Sequence, residues 1–387
     1  MPRVSNNVVI VGIGETPVGS LPGMNAVQIQ AMAVHEALVD CGQPLQALDG
    51  LINLDPYATP ESMFSITLTE YLGIRPSFAA TVDVGGTVTG MTMLQQAIWA
   101  IDAGHCRMAA VVYGANGKTS RPRNMHGNFM RNLQGAEEWE VPFGMQGLVI
   151  PYALLAQRYL DEYGASTDDF GAVAVATRKH AMLNEKAMMR KPMSIDDHRG
   201  SRMISSPLRL LDCSLVSDGG VALILCSRDR ANELGLPAVT IRSMAARVTH
   251  NSVAQLPDIA QLGMRDAGQR ALADADVSVT DIDVALIHDA YTVSVLITLE
   301  ALGFCGPGEG GDYIRSGAAS LGGDCPVNTH GGLLSFAHIG GMPHFTEAVR
   351  QLRGGAGSRQ VKDARTALIA GNGGVFSNCG VMIMARG

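Results

Sequence analysis

The chain has no Cys-x-x-Cys pair, and its seven cysteines (Cys41, Cys106, Cys213, Cys226, Cys305, Cys325 and Cys379) are odd in number and widely spaced. That pattern disfavours a disulfide framework and a structural zinc site. The ten histidines include no His-Glu-x-x-His and no tight grouping with carboxylates at ligand spacing, so no metal is expected. Positive charge is also scarce: 29 Lys and Arg stand against 36 Asp and Glu, for a net charge of -7, and the basic residues are scattered apart from short clusters such as 118–123. A chain of that charge repels a phosphate backbone, which argues against nucleic acid as a partner. No apolar run approaches a membrane span, since the most continuous, 148–156, is short and contains a proline. The N-terminus has no charged region leading into a secretory apolar run. A soluble, cytoplasmic protein is expected.

What is present describes an ordered globular protein: 387 residues, 47% hydrophobic and 17% charged. Apolar runs rich in Val and Ile at 8–11, 109–112, 221–225, 239–241, 284–287, 368–370 and 381–384 read as buried strands interleaved with amphipathic helices, an α/β layered architecture. The 45 glycines concentrate where strands turn into helices, as at Gly85-Gly86, Gly331-Gly332, Gly340-Gly341 and Gly373-Gly374. Such turns let backbone amides come close to a ligand or another strand.

The chain also contains itself twice. Residues 33–57 realign without a gap 234 positions later, with Ala33/Ala267, Ala37/Ala271, Leu38/Leu272, Asp40/Asp274, Asp49/Asp283, Asp55/Asp289 and Tyr57/Tyr291 identical. A helix, a turn and a strand are duplicated. A second pair, 94–101 with Gly104 and 110–114 against 345–352 with Gly355 and 367–371, reads in both copies as helix, glycine stop and buried strand. The period exceeds that of solenoid repeats, so the pattern is a domain of two halves. Residues 117–208 have no counterpart in the second half and read as an insertion, with a helix around 152–160 stopped near Gly164 and Ser166 capping the next. Its basic tail (Arg178, Lys179, His180, Lys186, Arg190, Lys191) fits either an anionic ligand or a solvated helix face.

Three segments carry candidate chemistry. His338 lies among small and apolar residues in Gly331-Gly-Leu-Leu-Ser-Phe-Ala-His-Ile-Gly-Gly341, at a turn where an imidazole can exchange a proton near neutral pH. A core histidine satisfied by a carbonyl fits the same text. His288-Asp-Ala-Tyr291 closes the apolar run 284–287, at the strand edge where α/β sheets place binding groups. Because the other copy reads Leu54-Asp-Pro-Tyr57, Asp289 and Tyr291 can be inherited scaffold, while His288 is the stronger candidate. Gly371-Asn-Gly-Gly374 can offer amides to an oxyanion or form a tight turn.

Taken together, these segments resemble the thiolase superfamily over nearly the whole chain. Asp218-Gly-Gly-Val-Ala222 resembles its D-G-A-A-A strand start, and Pro326-Val-Asn-Thr-His-Gly-Gly332 its N-x-x-G-G stretch. His338 then falls on the histidine of G-H-P, although Ala337 and Ile339 flank it here. His288-Asp-Ala-Tyr291 is similar to the H-D-C-F of the sterol-carrier and lipid-transfer branch, where other thiolases have N-E-A-F. Residues 157–164 and 202–213 also resemble that branch. The resemblance implies two βαβαβαββ halves in αβαβα layers, at 1–235 and 236–387, with an inserted loop domain at about 117–208.

One departure decides the expected activity. Thiolases carry an acyl group on the cysteine of C-x-[ST]-G, and the matching text is Gly85-Gly-Thr-Val-Thr-Gly90, which puts Thr87 in its place. The second family cysteine, of C-x-G-G, is matched by Asn372. A thiol is partly ionised near neutral pH, whereas a threonine hydroxyl needs a strong base beside it. Usual acyl transfer is therefore not expected. By resemblance, His288 and His338 form an oxyanion hole for a thioester enolate, with the Gly374 amide opposite. Cysteine-lacking members of the branch include aldolases that cleave steroid β-hydroxyacyl-CoA side chains alongside a small zinc-ribbon/OB-type partner. Retro-aldol cleavage of a β-hydroxyacyl-CoA is the expected reaction, with Tyr291 the candidate acid/base. The resemblance further implies a homodimer and no cofactor beyond the CoA of the substrate. A thiolase-type acetyl-CoA acetyltransferase with a non-standard nucleophile, and a non-catalytic CoA- or lipid-binding subunit, remain alternatives.

Overall fold

The computed structural model describes residues 5–120, 138–145, 147–255 and 262–387. Its strands are β1 (Val8–Glu15), β2 (Gly50–Asn53), β3 (Phe78–Thr81), β4 (Met108–Asn116), β5 (Met203–Ser205), β6 (Leu208–Arg209), β7 (Asp218–Ser227), β8 (Val239–Val248), β9 (Val284–Ile287), β10 (Thr366–Gly373) and β11 (Asn378–Arg386). The longer helices are α1 (Ala26–Asp40), α2 (Phe64–Leu72), α3 (Gly86–Asp102), α4 (Val149–Tyr163), α5 (Thr167–Met182), α6 (Gly263–Ala275), α7 (Thr292–Leu302) and α8 (Pro343–Arg353). Each apolar run expected as a strand lies inside one of them.

The main sheet runs β3-β2-β4-β7-β1-β8-β11-β10-β9. With β1 matched to β8, β2 to β9, β4 to β10 and β7 to β11, the order reads alike from either end. The pairing repeats too: β2/β4 and β9/β10 are parallel, while β4/β7 and β10/β11 are antiparallel. Even the outermost position recurs, because Val327 makes a parallel bridge with Ala285 beside β9 where β3 lies beside β2. The two mirrored parts join at β1 and β8 through Val9↔Thr240 and Ile10↔Val239.

Alternation along the strands sets the layers. One face of β1, β4 and β7 meets α1 and α2, in a cluster that includes Val9, Val11, Val34, Leu38, Leu68 and Ile224. The other faces of both sets of strands enclose α3 and α8, through Met91, Leu94, Ile98, Phe345, Val349 and Leu352. The remaining face of β9, β10 and β11 meets α6, α7 and the inserted helices α4 and α5. This gives the expected αβαβα stacking. The repeated helices sit in equivalent places, α1 on β1, β4 and β7 and α6 on β8, β10 and β11. In the central layer α3 and α8 cross closely at Gly90, where a Cβ would come within 2.6 Å of the Phe345 ring.

Of the expected insertion, residues 121–137 and 146 lie outside the described residues, as do residues 121–123 of the basic cluster. The helix expected at 152–160 is α4, closed by Gly164 at φ 62°, and Ser166 caps α5 with its amide on Asp169 Oδ2 at 2.7 Å. The basic tail is divided between the interior and the surface. Arg178 is buried and donates to Ser335 Oγ and the Lys191 carbonyl, His180 has both ring nitrogens bonded, and Lys186 reaches Glu15. Lys179, Lys186, Arg190 and Lys191 of that group are exposed, which fits the solvated face better than an anion site. Among the described residues no helix is long and apolar enough to cross a membrane.

Candidate active site

The last residue of β9 is fixed by a side chain that imitates a strand. Asn328 Oδ1 accepts from the Ile287 amide at 2.8 Å and its Nδ2 donates to the Ile287 carbonyl at 2.9 Å. The next residue, His288, is tied to β10 by its amide on the Ala370 carbonyl. Asp289 then turns inward, wholly buried, and accepts from the amides of Leu333 (2.8 Å) and Leu334 (3.3 Å). Burial pushes its carboxyl up to about 7 against those two amides. Asp289 thereby anchors the π-helical turn Gly332–Phe336, where a Cβ on Gly332 would fall 1.9 Å from Asp289 Oδ2. Only glycine fits there. The chain leaves that turn extended at Ala337 and delivers His338.

His288 and His338 meet with ring centroids 6.2 Å apart and planes at 79°. Each is held at Nδ1 by a hydroxyl: Thr87 Oγ1 lies 2.6 Å from His288, and Ser214 Oγ lies 2.9 Å from His338. Ser217 Oγ also receives the His338 amide at 3.1 Å. Neither Nε2 bonds to a described residue, so both remain available. Burial holds His288 well below the usual imidazole range and brings His338 down to about 4, which keeps both rings neutral at pH 7. A neutral imidazole can donate to an oxyanion without first losing charge.

Thr87 stands in the first turn of α3, fully buried, between two glycines that could carry no side chain. A Cβ on Gly341 would lie 1.8 Å from its hydroxyl and one on Gly371 would lie 2.8 Å from its Cβ. Gly85 and Gly86, just ahead of Thr87, abut the backbone of Asn372, Gly373 and Gly374 at the end of β10. The segments carrying His288, His338, Thr87, Asn372 and Gly374 thus come together.

The residue that ties the remaining candidates is Tyr152, on α4 in the inserted region. Its hydroxyl sits 3.0 Å from Asn372 Oδ1 and 2.9 Å from the Gly374 carbonyl, and its ring stacks on Tyr291 at 4.4 Å. Sequence reasoning placed Tyr152 only as a helix residue, and no local signal marks it, because its partners lie more than 130 positions downstream. Burial raises the Tyr291 hydroxyl above its ordinary range, which keeps it protonated and suits a proton donor, not a base.

Sulfur does lie near this site, but in the wrong form. Cys379 faces Asn372 across the β10/β11 hairpin, wholly buried, with its thiol pushed up to about 12 by burial. Cys213 bridges to Tyr291 and is likewise pushed up to about 12. Neither is ionised at neutral pH. Among the described residues no group of three or more His, Cys, Asp or Glu is arranged to hold a metal ion.

Comparison with known proteins agrees with this fold. The family described as "Thiolase C-terminal domain-like" matches residues 245–386. A steroid side-chain-cleaving aldolase of Thermomonospora curvata is 36% identical over 95% of this chain and 95% of its own length. The chain belongs to the thiolase superfamily. Within that superfamily, the 17-hydroxy-3-oxo-4-pregnene-20-carboxyl-CoA lyase of Mycobacterium tuberculosis is 35% identical, over 91% of this chain and 92% of its own. The solved structure described as "Ltp2-ChsH2(DUF35) aldolase" superposes with a TM-score of 0.89 at 33% identity, covering 100% of this chain and 99% of that one.

Proposed function

We propose that this chain is a carbon–carbon lyase that cleaves a β-hydroxyacyl-CoA thioester, of the steroid side-chain class named for its relatives, by a retro-aldol reaction. The observation that carries the reading is the pair of neutral imidazoles converging at a position where the acyl-bearing cysteine is replaced by Thr87. The β-hydroxyl proton passes to a base, the Cα–Cβ bond breaks, a ketone leaves, and the electron pair moves onto the thioester oxygen. Nε2–H groups of His288 and His338 and the Gly374 amide receive that developing charge, stabilisation that acts only as the bond breaks. Tyr291, kept protonated by burial, returns a proton to Cα. No step needs a cofactor beyond the CoA already on the substrate.

The same reading divides the chain at 1–235 and 236–387, supported by the mirrored strand order and the matched packing of α1 and α6. It includes a cytoplasmic homodimer paired along β3, whose outer edge has no strand partner among the described residues and whose neighbours Met63, Ile66, Tyr71 and Val84 are exposed. It also includes a small partner of the DUF35 kind, as in the name of the superposed structure.

A second reading rests on the 2.6 Å contact of Thr87 with His288, which is also the geometry of a hydroxyl nucleophile with its base. One experiment separates the two. The purified chain, with and without a DUF35-type partner, is given β-hydroxyacyl-CoA and β-ketoacyl-CoA substrates while mass spectrometry follows the protein. Release of a shortened acyl-CoA from the β-hydroxy substrate, with no protein adduct, is expected. Free-CoA-dependent cleavage of the β-keto substrate with an acyl group on Thr87 overturns the proposal in favour of an acyltransferase.

A further inference from the structure

The buried histidines of this molecule are held in different ways, and the difference concerns tautomers. His180 has its Nδ1 on the Val327 carbonyl at 2.9 Å and its Nε2 on the Leu321 amide at 3.1 Å. A carbonyl can only accept and an amide can only donate, so the proton of His180 must sit on Nδ1. His338 meets neither. Its Nδ1 faces the Ser214 hydroxyl at 2.9 Å, and its Nε2 is unbonded to described residues.

A serine hydroxyl carries one proton, and Ser214 Oγ has a single partner among the described residues, His338 Nδ1. Donation of that proton to Nδ1 leaves the ring proton on Nε2. Ser217, three residues further along, is different: its hydroxyl accepts the His338 amide and faces Met188 Sδ at 3.2 Å.

Ser214 is also firmly mounted. Its amide donates to the Ala290 carbonyl at 2.8 Å, and the Leu215 amide to the Leu333 carbonyl at 3.1 Å, so the segment spans the end of β9 and the π-helical turn. Two residues upstream, wholly buried Asp212 receives His198 Nε2 (2.7 Å), Thr292 Oγ1 (2.8 Å) and the Arg209 amide (2.7 Å). That cluster touches neither imidazole of the site; its effect is to fix the loop from which Ser214 projects.

We propose that Ser214 is a positioning residue for carbon–carbon cleavage: its hydroxyl donates to His338 Nδ1 and so holds the ring proton on Nε2, toward the enolate oxygen. This rests on the aldolase reading above. Thr87 stands in the same relation to His288 at 2.6 Å, which gives the threonine at the nucleophile position a use without an acyl-enzyme. Without the hydroxyl, His338 divides between tautomers, and a ring with its lone pair on Nε2 repels the oxyanion it should receive.

The test uses the full chain with its partner, one β-hydroxyacyl-CoA substrate, and the variants Ser214→Ala, Ser214→Thr and His338→Ala. Ser214→Ala should lower kcat about tenfold, the worth of one neutral hydrogen bond, with KM within about twofold because ground-state binding is untouched. Ser214→Thr should restore most of the loss. Nitrogen-15 NMR of the imidazoles should show His338 protonated on Nε2 in the wild type and mixed in Ser214→Ala. Wild-type kcat in Ser214→Ala, or a His338 protonated on Nδ1 in the unmutated protein, overturns the inference even if Ser214→Ala folds poorly. If His338→Ala cleaves at the wild-type rate, the aldolase reading itself fails; if His338→Ala is inactive while Ser214→Ala is unaffected, only the role of Ser214 fails.

Discussion

Leu54-Asp55-Pro56-Tyr57 follows β2 and His288-Asp289-Ala290-Tyr291 follows β9, at mirrored places in the sheet and with the same aspartate and tyrosine. In the first copy Leu54 is a core residue whose carbonyl takes the Gln30 amide, Asp55 is half-buried and binds the Glu61 amide, and Tyr57 is 40% exposed with its hydroxyl on Asp83. In the second copy the aspartate and tyrosine are drawn inward and a histidine takes the place of the core leucine: His288 against Thr87, Asp289 under the π-helical turn, Tyr291 against Tyr152. The strands themselves hardly differ. What differs is cover, because α4 and α5 from the insertion and the turn at 332–336 close over the end of β9. Duplication supplied two equivalent strand ends; burial raises the aspartate and the tyrosine in both, and at the second the inserted helices close over them.

The largest expected effect tests whether rate belongs to one copy alone. His288→Ala removes an enolate-stabilising donor, a change that typically costs about 100- to 1000-fold in rate. His338→Ala should do the same. Leu54→Ala, at the equivalent place, should instead cost about 2–5 kcal/mol of stability by leaving a cavity, with kcat within about twofold of wild type. Steady-state kinetics beside urea unfolding measures both, and a comparable rate loss in Leu54→Ala would break the comparison.

Next in size is the aspartate pair. The folded carboxyl of Asp289 titrates at about 7, above its unfolded value near 3.9. The folded state therefore holds a proton that the unfolded state has lost in this window. The favourable contribution of the protonated carboxyl is complete below about pH 4 and is lost as pH rises through 7, by a few kcal/mol. Asp289→Asn abolishes that titration. The stability of Asp289→Asn relative to wild type should therefore rise steadily from pH 4 to pH 7, on top of a fixed loss of about 1–3 kcal/mol for the imperfectly replaced amide contacts. Asp55→Asn should differ from wild type by less than about 1 kcal/mol at any pH, as expected of a half-exposed site. A pH-independent difference for Asp289→Asn would mean that the carboxylate is ionised throughout. His288 and His338 act in the opposite sense, since lowered imidazoles destabilise the fold as pH falls, and the paired difference removes their contribution.

Much of this organisation is legible in the chain. Strands buried on both faces write themselves as continuous Val and Ile runs, and a duplicated helix, turn and strand survives as aligned identities. The grouping of the segments around His288, His338 and Gly374 is implied by the resemblance of their motifs to the family's. The parts that escaped are of another kind. The edge strand β3, Phe78–Thr81, is short and only half-covered, so its alternating accessibility leaves no apolar run. Tyr152 touches Asn372, Gly374 and Tyr291 and Ser214 touches His338, and a tyrosine in an amphipathic helix or a serine in a loop looks the same whether or not such a partner exists. The position of Thr87 could be counted from Thr89-Gly90, yet nothing in the text of the chain announces that its hydroxyl would rest on His288. Local pattern reports burial; a pairing between residues 201 apart is decided by the whole fold.

The smallest expected effect concerns the tyrosines, and it sharpens the comparison most because the change is one oxygen atom in each copy. Tyr291→Phe preserves the ring stacked on Tyr152 and removes only the hydroxyl, so packing should survive and unfolding should shift little. If the hydroxyl returns a proton to Cα, kcat should fall by about tenfold, less than the roughly 100- to 10,000-fold usual for a positioned acid or base because water can substitute. Burial raises the Tyr291 hydroxyl above its usual range, so it stays protonated to higher pH than a free tyrosine. The wild-type rate should accordingly show no alkaline loss assignable to tyrosine below about pH 10. A rate that climbs with pH through that range and is flat in Tyr291→Phe would instead identify Tyr291 as the base. Tyr57→Phe removes the bond from a half-exposed hydroxyl to Asp83 and should change stability by about 0.5 kcal/mol or less, with no change in kcat. Equal rate losses in the two variants would show that the hydroxyl acts through general packing and not through proton transfer.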